Sequence, residues 1–182
     1  MPTLDLRPYG PGDITGIRTL LLDIHDDAYA DSTSEFNTRE RFSWFIDHWS
    51  ARPGFSCVIG YDGTEAVGYA YGAPLAAGSA WWRDVAGLSE AATREDGTRT
   101  YALSELMVTQ KRRKTGAAVQ IHDALLALRT EARVTLTVDS THPKVRALYE
   151  RWGYTRVGTS KPFDDSPVFD VMLRELPPPS RP

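Results

Sequence analysis

One cysteine is too few for an internal disulfide, so no covalent cross-link within this chain is available to hold its fold. Cys57 lies in the apolar run Phe55-Ser56-Cys57-Val58-Ile59, where burial is its expected role and a reducing compartment its expected setting. No apolar stretch approaches the ~20 residues that span a bilayer. The start, Met1-Pro2-Thr3-Leu4-Asp5, lacks the charged segment and apolar core of a signal peptide, so a cytoplasmic location is expected and no membrane partner. A net charge of −3 leaves no surplus of cations to neutralise phosphates, which argues against nucleic acid as a partner. The four histidines, His25, His48, His122 and His142, are scattered without ligand spacing, and no metal is expected. There is no Gly-x-Ser-x-Gly elbow and no activating pattern around Cys57.

What remains is ordinary for a globular protein: 41% hydrophobic and 25% charged residues over 182 positions, enough for one domain with a full core. A single domain over 1–176 is expected, with a disordered Pro-rich tail at 177–182. Alternation predicts a first strand from Thr3 to Pro8. Ile14, Ile17, Leu20, Leu21 and Ile24 have helical spacing after the turn at Gly10-Asp13, and a second helix from Thr38 carries Phe42, Phe45, Ile46 and Trp49 on one face. Strands at 55–61 and 66–73 flank the hairpin signal Asp62-Gly63. A long polar connection, 76–98, contains Trp81-Trp82 and is expected to carry a short helix of its own, near Trp81 to Leu88. Further on come a strand at 100–108, a helix at 114–129, a strand at 134–138, a helix running to Trp152, and strands at 154–159 and 168–174. Strands interspersed with helices imply an α/β sheet.

The densest local signal follows the apolar stretch Leu106-Met107-Val108. Four cations, Lys111-Arg112-Arg113-Lys114, lead through Thr115-Gly116-Ala117-Ala118 into an amphipathic segment. Helix N-terminal amides point outward unpaired and the helix dipole adds partial positive charge, so strand, small-residue turn and helix start suit a polyanion. A basic run is also what a solvated face looks like.

Arg113-x-x-Gly116-x-Ala118 resembles the Arg/Gln-x-x-Gly-x-Gly/Ala signature of the GCN5-related N-acetyltransferases, whose loop cradles the pyrophosphate of acetyl-coenzyme A. The later run from His142 to Tyr154, with Ala147-Leu148-Tyr149 in a helix ending in Trp152-Gly153-Tyr154, is similar to the second signature of that family. The resemblance covers about residues 99 to 160. It implies a mixed sheet of about seven strands, splayed at the centre and flanked by about four helices. It also implies acetyl-coenzyme A as cosubstrate, held by the backbone of Leu106, Met107 and Val108 and by the loop Arg113, Lys114, Thr115, Gly116, Ala117 and Ala118, with His142 at the start of the second signature. Three positions depart from the pattern: Gln110 replaces a frequent Pro, Lys114 a Gly and His142 an Asn. None removes a backbone donor from the loop, because no replacement is proline. His142 before Pro143 also reads as a plain helix entry.

By the same resemblance Tyr149 is the acid that protonates the departing thiolate, for which a phenol with reference pKa near 10 is suited. Val145, Leu148, Tyr149 and Trp152 share a helical face, so a core tyrosine would show the same spacing. Glu105 is the candidate base. Period two puts it on one face with Leu103 and Met107 in an apolar strand, where a carboxylate is costly unless paired or used. A salt bridge to an arginine is the competing role. For the acceptor, six carboxylates between Asp23 and Glu40 face one cation, Arg39, and Asp26 and Asp27 are candidate contacts to a cationic small-molecule amine. Trp81 and Trp82 are candidates for the other wall, with packing or a homodimer contact as their alternative use. The expected activity is direct acetyl transfer from acetyl-coenzyme A to a primary amine in a ternary complex. A non-catalytic coenzyme A sensor, or a transferase using another acyl donor or acceptor on the same fold, are the alternatives.

Overall fold

A computed structural model describes residues 3–178. Of the expected Pro-rich tail, 179–182 lie outside the described residues. The elements, in chain order, are β1 (Asp5–Tyr9), α1 (Ile14–Ala28), α2 (Arg39–Ser50), β2 (Ser56–Asp62), β3 (Glu65–Pro74), α3 (Glu90–Thr93), β4 (Thr100–Val108), α4 (Ala117–Leu126), β5 (Arg133–Asp139), α5 (Pro143–Arg151), β6 (Thr155–Ser160) and β7 (Phe169–Glu175). The strands form a mixed sheet in the order β1-β2-β3-β4-β5-β7-β6. The expected helix count of about four becomes five because the 76–98 connection contains α3, later than the expected Trp81–Leu88; Ala80–Trp82 is a single 3-10 turn. No helix among the described residues is long and apolar enough to cross a membrane.

The chain divides into two compact units, Met1–Ala73 with Leu103–Arg129, and Pro74–Ala102 with Thr130–Pro182. In the first, β1, β2 and β3 are antiparallel, with Leu6 opposite Gly60 and Gly60 opposite Gly68. That glycine pair lets α4 lie close on the sheet. A Cβ at Gly60 would come within 2.9 Å of Ile121, and one at Gly68 within 3.0 Å of the same side chain. Ile121 and Leu125 are fully buried against this flat patch, each contributing about 1.5–3 kcal/mol of apolar burial. Strand alternation turns Tyr69 and Tyr71 to the other face, where the Tyr71 ring meets Phe55 and α1 and α2 pack together. Thr38 caps α2 by accepting from the Arg41 amide, and the four expected residues Phe42, Phe45, Ile46 and Trp49 are those α2 buries.

Helix α4 is shorter than its pattern, starting at Ala117 rather than Lys114, because Lys114 and Gly116 both have positive φ and interrupt the helical path. Its buried stripe shifts accordingly: Ala117, Ile121, His122 and Leu125 are inside, Ala118 is half-buried and Leu128 is exposed.

In the second unit β5 and β6 both pair antiparallel with β7, and Thr100, Tyr101 and Ala102 pair parallel with Arg133, Val134 and Thr135. Two buried carboxylates organise it. Glu95 Oε1 accepts from Trp82 Nε1 at 2.9 Å, Thr100 Oγ1 at 2.8 Å and Arg133 Nη2 at 2.9 Å. The same Arg133 nitrogen donates to the Ala92 carbonyl, so the long connection is stapled to β5 at the C-terminal end of α3. Asp170 on β7 holds Arg146 of α5 at 3.1 Å and Arg156 of β6 at 2.6 Å. Burial works to raise the Asp170 carboxyl, but the two guanidiniums outweigh it and hold it below the usual carboxylate range.

Candidate active site

In the first unit the chain leaves β4 with the Thr109 amide bonded to the Val67 carbonyl, makes a 3-10 turn at Gln110–Arg112, and enters α4 through Gly116 at φ 85°. Thr115 Oγ1 closes the loop on the Arg112 carbonyl at 2.7 Å. Gly116 supplies no side-chain cap and the first turn of α4 carries no acidic residue. The amides of Ala117, Ala118 and Val119 precede the first intrahelical bond, from Gln120 to Gly116, and face outward as donors. Such an end is suited to phosphate. Lys114, where the family pattern has glycine, sits at φ 62°, which explains the preference: the position needs left-handed backbone.

The cations are less available than their density suggests. Lys111 pairs with Glu65 and Arg112 with Asp62, both on the β2–β3 hairpin, and the Arg113 guanidinium donates to the Ala28 carbonyl. The Lys114 side chain has no hydrogen bond or ion pair among the described residues. Any anion held here therefore depends on backbone donors and Lys114 more than on a four-cation cluster.

Leu103 is buried, whereas Ser104, Glu105 and Leu106 are half-buried, with Met107 buried again. Glu105 has no ion pair among the described residues, so the arginine partner is absent. It keeps some open surface, yet protein surrounds it densely enough that burial pushes its carboxyl up to about 8. A carboxyl poised there changes protonation near neutral pH, the property a general base needs. Tyr69 and Tyr71, both fully buried, lie on the Glu105 face; burial raises both phenols and the nearby carboxylate raises them further. Tyr69 Oη donates to Met107 Sδ at 3.3 Å.

The acidic stretch is mostly spent internally. Asp26 pairs with Arg39 and takes a 3.1 Å contact from His25 Nδ1; Asp23 also meets Arg39. Asp27 accepts from the Gln110 amide at 2.6 Å and Asp31 from the Gln110 side chain at 3.0 Å. Asp27 and Asp31 thus fasten the turn after β4 to the end of α1, a scaffolding use that sequence counting of charges does not reveal.

The second unit holds the remaining candidates. Tyr149 is the one buried residue of α5, its ring edge-on to Trp152 at 5.3 Å and Tyr154 at 5.5 Å. Val145 is exposed, so the supposed core face of α5 narrows to that tyrosine. His142 is the exposed N-cap of α5, bonded to Thr141 Oγ1, with Pro143 at the first helical position. Trp82 is 5% exposed and committed to Glu95, which makes it a packing residue; Trp81 is half-buried and donates to Thr135 Oγ1 at 3.2 Å. Sequence reasoning passed over Tyr69, Tyr71, Glu95 and Arg133. Only the two tyrosines left a trace, their period-two spacing beside glycines in β3.

The model of the Acetyltransferase (GNAT) family matches residues 19–154. Among solved structures, an acetyltransferase from Thermus thermophilus aligns with TM-score 0.62 at 20% identity, over 96% of this chain and 98% of that one. Ard1 from Thermoplasma volcanium aligns with TM-score 0.62 at 16% identity, over 96% and 99%. An aminoglycoside 6'-acetyltransferase type Ii aligns with TM-score 0.64 at 17% identity, over 96% and 99%. No curated protein matches the chain.

Proposed function

The chain belongs to the acetyltransferase (GNAT) family, and from that premise we propose that it transfers an acetyl group from acetyl-coenzyme A directly to a primary amine of a small molecule. The observation that carries the reading is Glu105: a carboxyl on the central strand, without an ion pair among the described residues, brought by burial to about 8. A carboxyl kept in that state is costly to folding and useful to proton transfer.

The amides at the start of α4, with Lys114, hold the pyrophosphate, and the backbone of Leu106, Met107 and Val108 receives the pantetheine arm. The amine nitrogen attacks the thioester carbon, the C–S bond breaks, the nitrogen's proton passes to Glu105, and the sulfur takes the Tyr149 phenolic proton. A base of this kind contributes on the order of 10²- to 10⁴-fold; positioning supplies the rest. One domain over 1–176, working in the cytoplasm, carries the whole reaction. With Asp26 and Asp27 engaged by Arg39 and Gln110, the acceptor need not be a polycation, and monoamines belong in the panel beside aminoglycosides, the class one structural neighbour is named for.

The test is thiol release from acetyl-coenzyme A over such a panel, with acetylated product identified by mass. Turnover of at least one amine, lost in Glu105→Gln, upholds the reading. Binding of coenzyme A without turnover of any amine would instead support a sensor.

A further inference from the structure

Tyr71 carries a hydroxyl from which the folded chain gains nothing. Its side chain is fully buried and its Oη has no hydrogen-bond partner among the described residues. Ser104 stands near enough to favour the phenolate slightly, without reaching hydrogen-bond geometry. A buried hydroxyl left unpaired costs stability, and phenylalanine would fill the same space without that cost. Its neighbour Tyr69, whose ring lies parallel at 5.8 Å, has its hydroxyl bonded to Met107.

The strand register says what Tyr71 faces. The Thr109 amide bonds the Val67 carbonyl at 2.9 Å, so β3 and β4 run antiparallel there, and the Tyr69–Met107 contact is the next pair on this face. Two residues further along β3, Tyr71 lies across from the Ser104–Glu105 segment of β4, and the Glu105 carboxylate opposes ionisation of both phenols. The other titratable groups acting on this cluster are Cys57 of β2, Asp26 of α1 and Tyr29 just after α1. Asp26 is an acceptor already held by Arg39, and the Cys57 thiol is pushed far up by burial. Tyr71 is the phenol with an unspent donor.

We infer that Tyr71 is a positioning residue for Glu105: its Oη donates a hydrogen bond to the Glu105 carboxylate when that group is ionised and is released when the group is protonated. Tyr71 keeps its own proton throughout. The inference rests on the reading of Glu105 as the base, and it gives that base a fixed aim and a ready partner in its charged state. By favouring the ionised form, the donor opposes the upward push of burial on the carboxyl.

Tyr71→Phe tests this, read first by titration of carbon-13-labelled glutamate carboxyls, with Glu105→Gln identifying the resonance. The expected result is a midpoint raised by about one unit or more relative to wild type, with a melting temperature unchanged or higher at pH 5, where Glu105 is protonated and the bond is released. The acid limb of kcat/KM for a turned-over amine moves up by the same amount. An unchanged midpoint overturns the inference, as does a melting temperature lowered at pH 5, where Glu105 is protonated, which would mean the hydroxyl serves the fold. A midpoint that moves while the rate limb stays in place upholds the pairing and removes Glu105 from the base role.

Discussion

Two glutamates, Glu95 and Glu105, lie close in the chain and are treated in opposite ways. Glu95, in the second unit, is 6% exposed and one of its oxygens gathers an arginine, an indole N–H and a hydroxyl. Glu105, in the first unit, has no ion pair among the described residues and is driven towards its neutral form by burial. The contrast extends past the pair. The second unit neutralises Asp170 with two arginines and leaves Glu95 Oε2 without a partner beside its paired Oε1, whereas the first leaves Tyr71 Oη and His25 Nε2 buried without partners and the α4 amides uncapped. Paired polar groups set a shape; unpaired ones hold capacity for a ligand or a proton. The same residue type becomes staple or reagent according to what the fold brings to it.

Removing the staple should have the largest effect. Arg133→Ala strips the buried Glu95 of its counter-charge, and breaking such a pair costs about 3–5 kcal/mol. Calorimetry should show a melting temperature lowered by many degrees, whereas removing the Glu105 charge should not lower it at all. Equal losses in both would dissolve the contrast.

Next in size is Glu105→Gln. Turnover at neutral pH should fall on the order of 10²- to 10⁴-fold, with the deficit shrinking at high pH where the amine deprotonates unaided. Stability should move the other way, and its sign follows from linkage. Between the ordinary carboxylate range and about 8, the unfolded chain has released the Glu105 proton and the folded chain keeps it, so wild-type stability declines as pH rises. The glutamine variant lacks that decline. Its melting temperature should match wild type near pH 4, pull ahead steadily towards pH 8, and hold a constant lead above it. A variant that melts lower than wild type at pH 8 would show an ion pair after all.

Tyr149→Phe should cut turnover by a smaller factor, roughly ten- to a hundred-fold, at the low end of general acid catalysis. The phenyl ring retains the edge-on contacts with Trp152 and Tyr154, so cofactor affinity and melting temperature should hold. Full activity would make Tyr149 a packing residue like Trp82.

The smallest effect is expected at Lys114→Gly. Releasing a lysine from left-handed backbone should stabilise by up to about 1 kcal/mol, while loss of the unpaired cation should weaken coenzyme A binding a few-fold, most visibly at low salt. Titration calorimetry at two ionic strengths reads both. Affinity independent of salt would place the binding energy in the amides alone.

Much of the fold was legible in the sequence. The buried face of α2 and the β2–β3 hairpin appeared within a residue or two, because each is written in local spacing and turn chemistry. Where boundaries slipped, a backbone conformation was responsible: Lys114 and Gly116 at positive φ shorten α4. In the candidate site, Glu105 stood out as a carboxylate in an apolar strand. The availability of the charges around it could not be read. Asp27 fastens Gln110, Arg112 meets Asp62, and Trp82 belongs to Glu95, each partner lying far along the chain or chosen from several equally placed candidates.

The sequence by itself determined the order of the elements and the phosphate-suited turn, and it singled out Tyr149 and Glu105 as candidates, since periodicity, glycine and proline act on near neighbours. Only the tertiary structure decided which charges are spent and which are kept. A side chain's protonation and reach depend on the density of protein around it and on donors from other strands, and those are set when the chain closes on itself. Glu95 met Arg133 there; Glu105 met no counter-charge among the described residues.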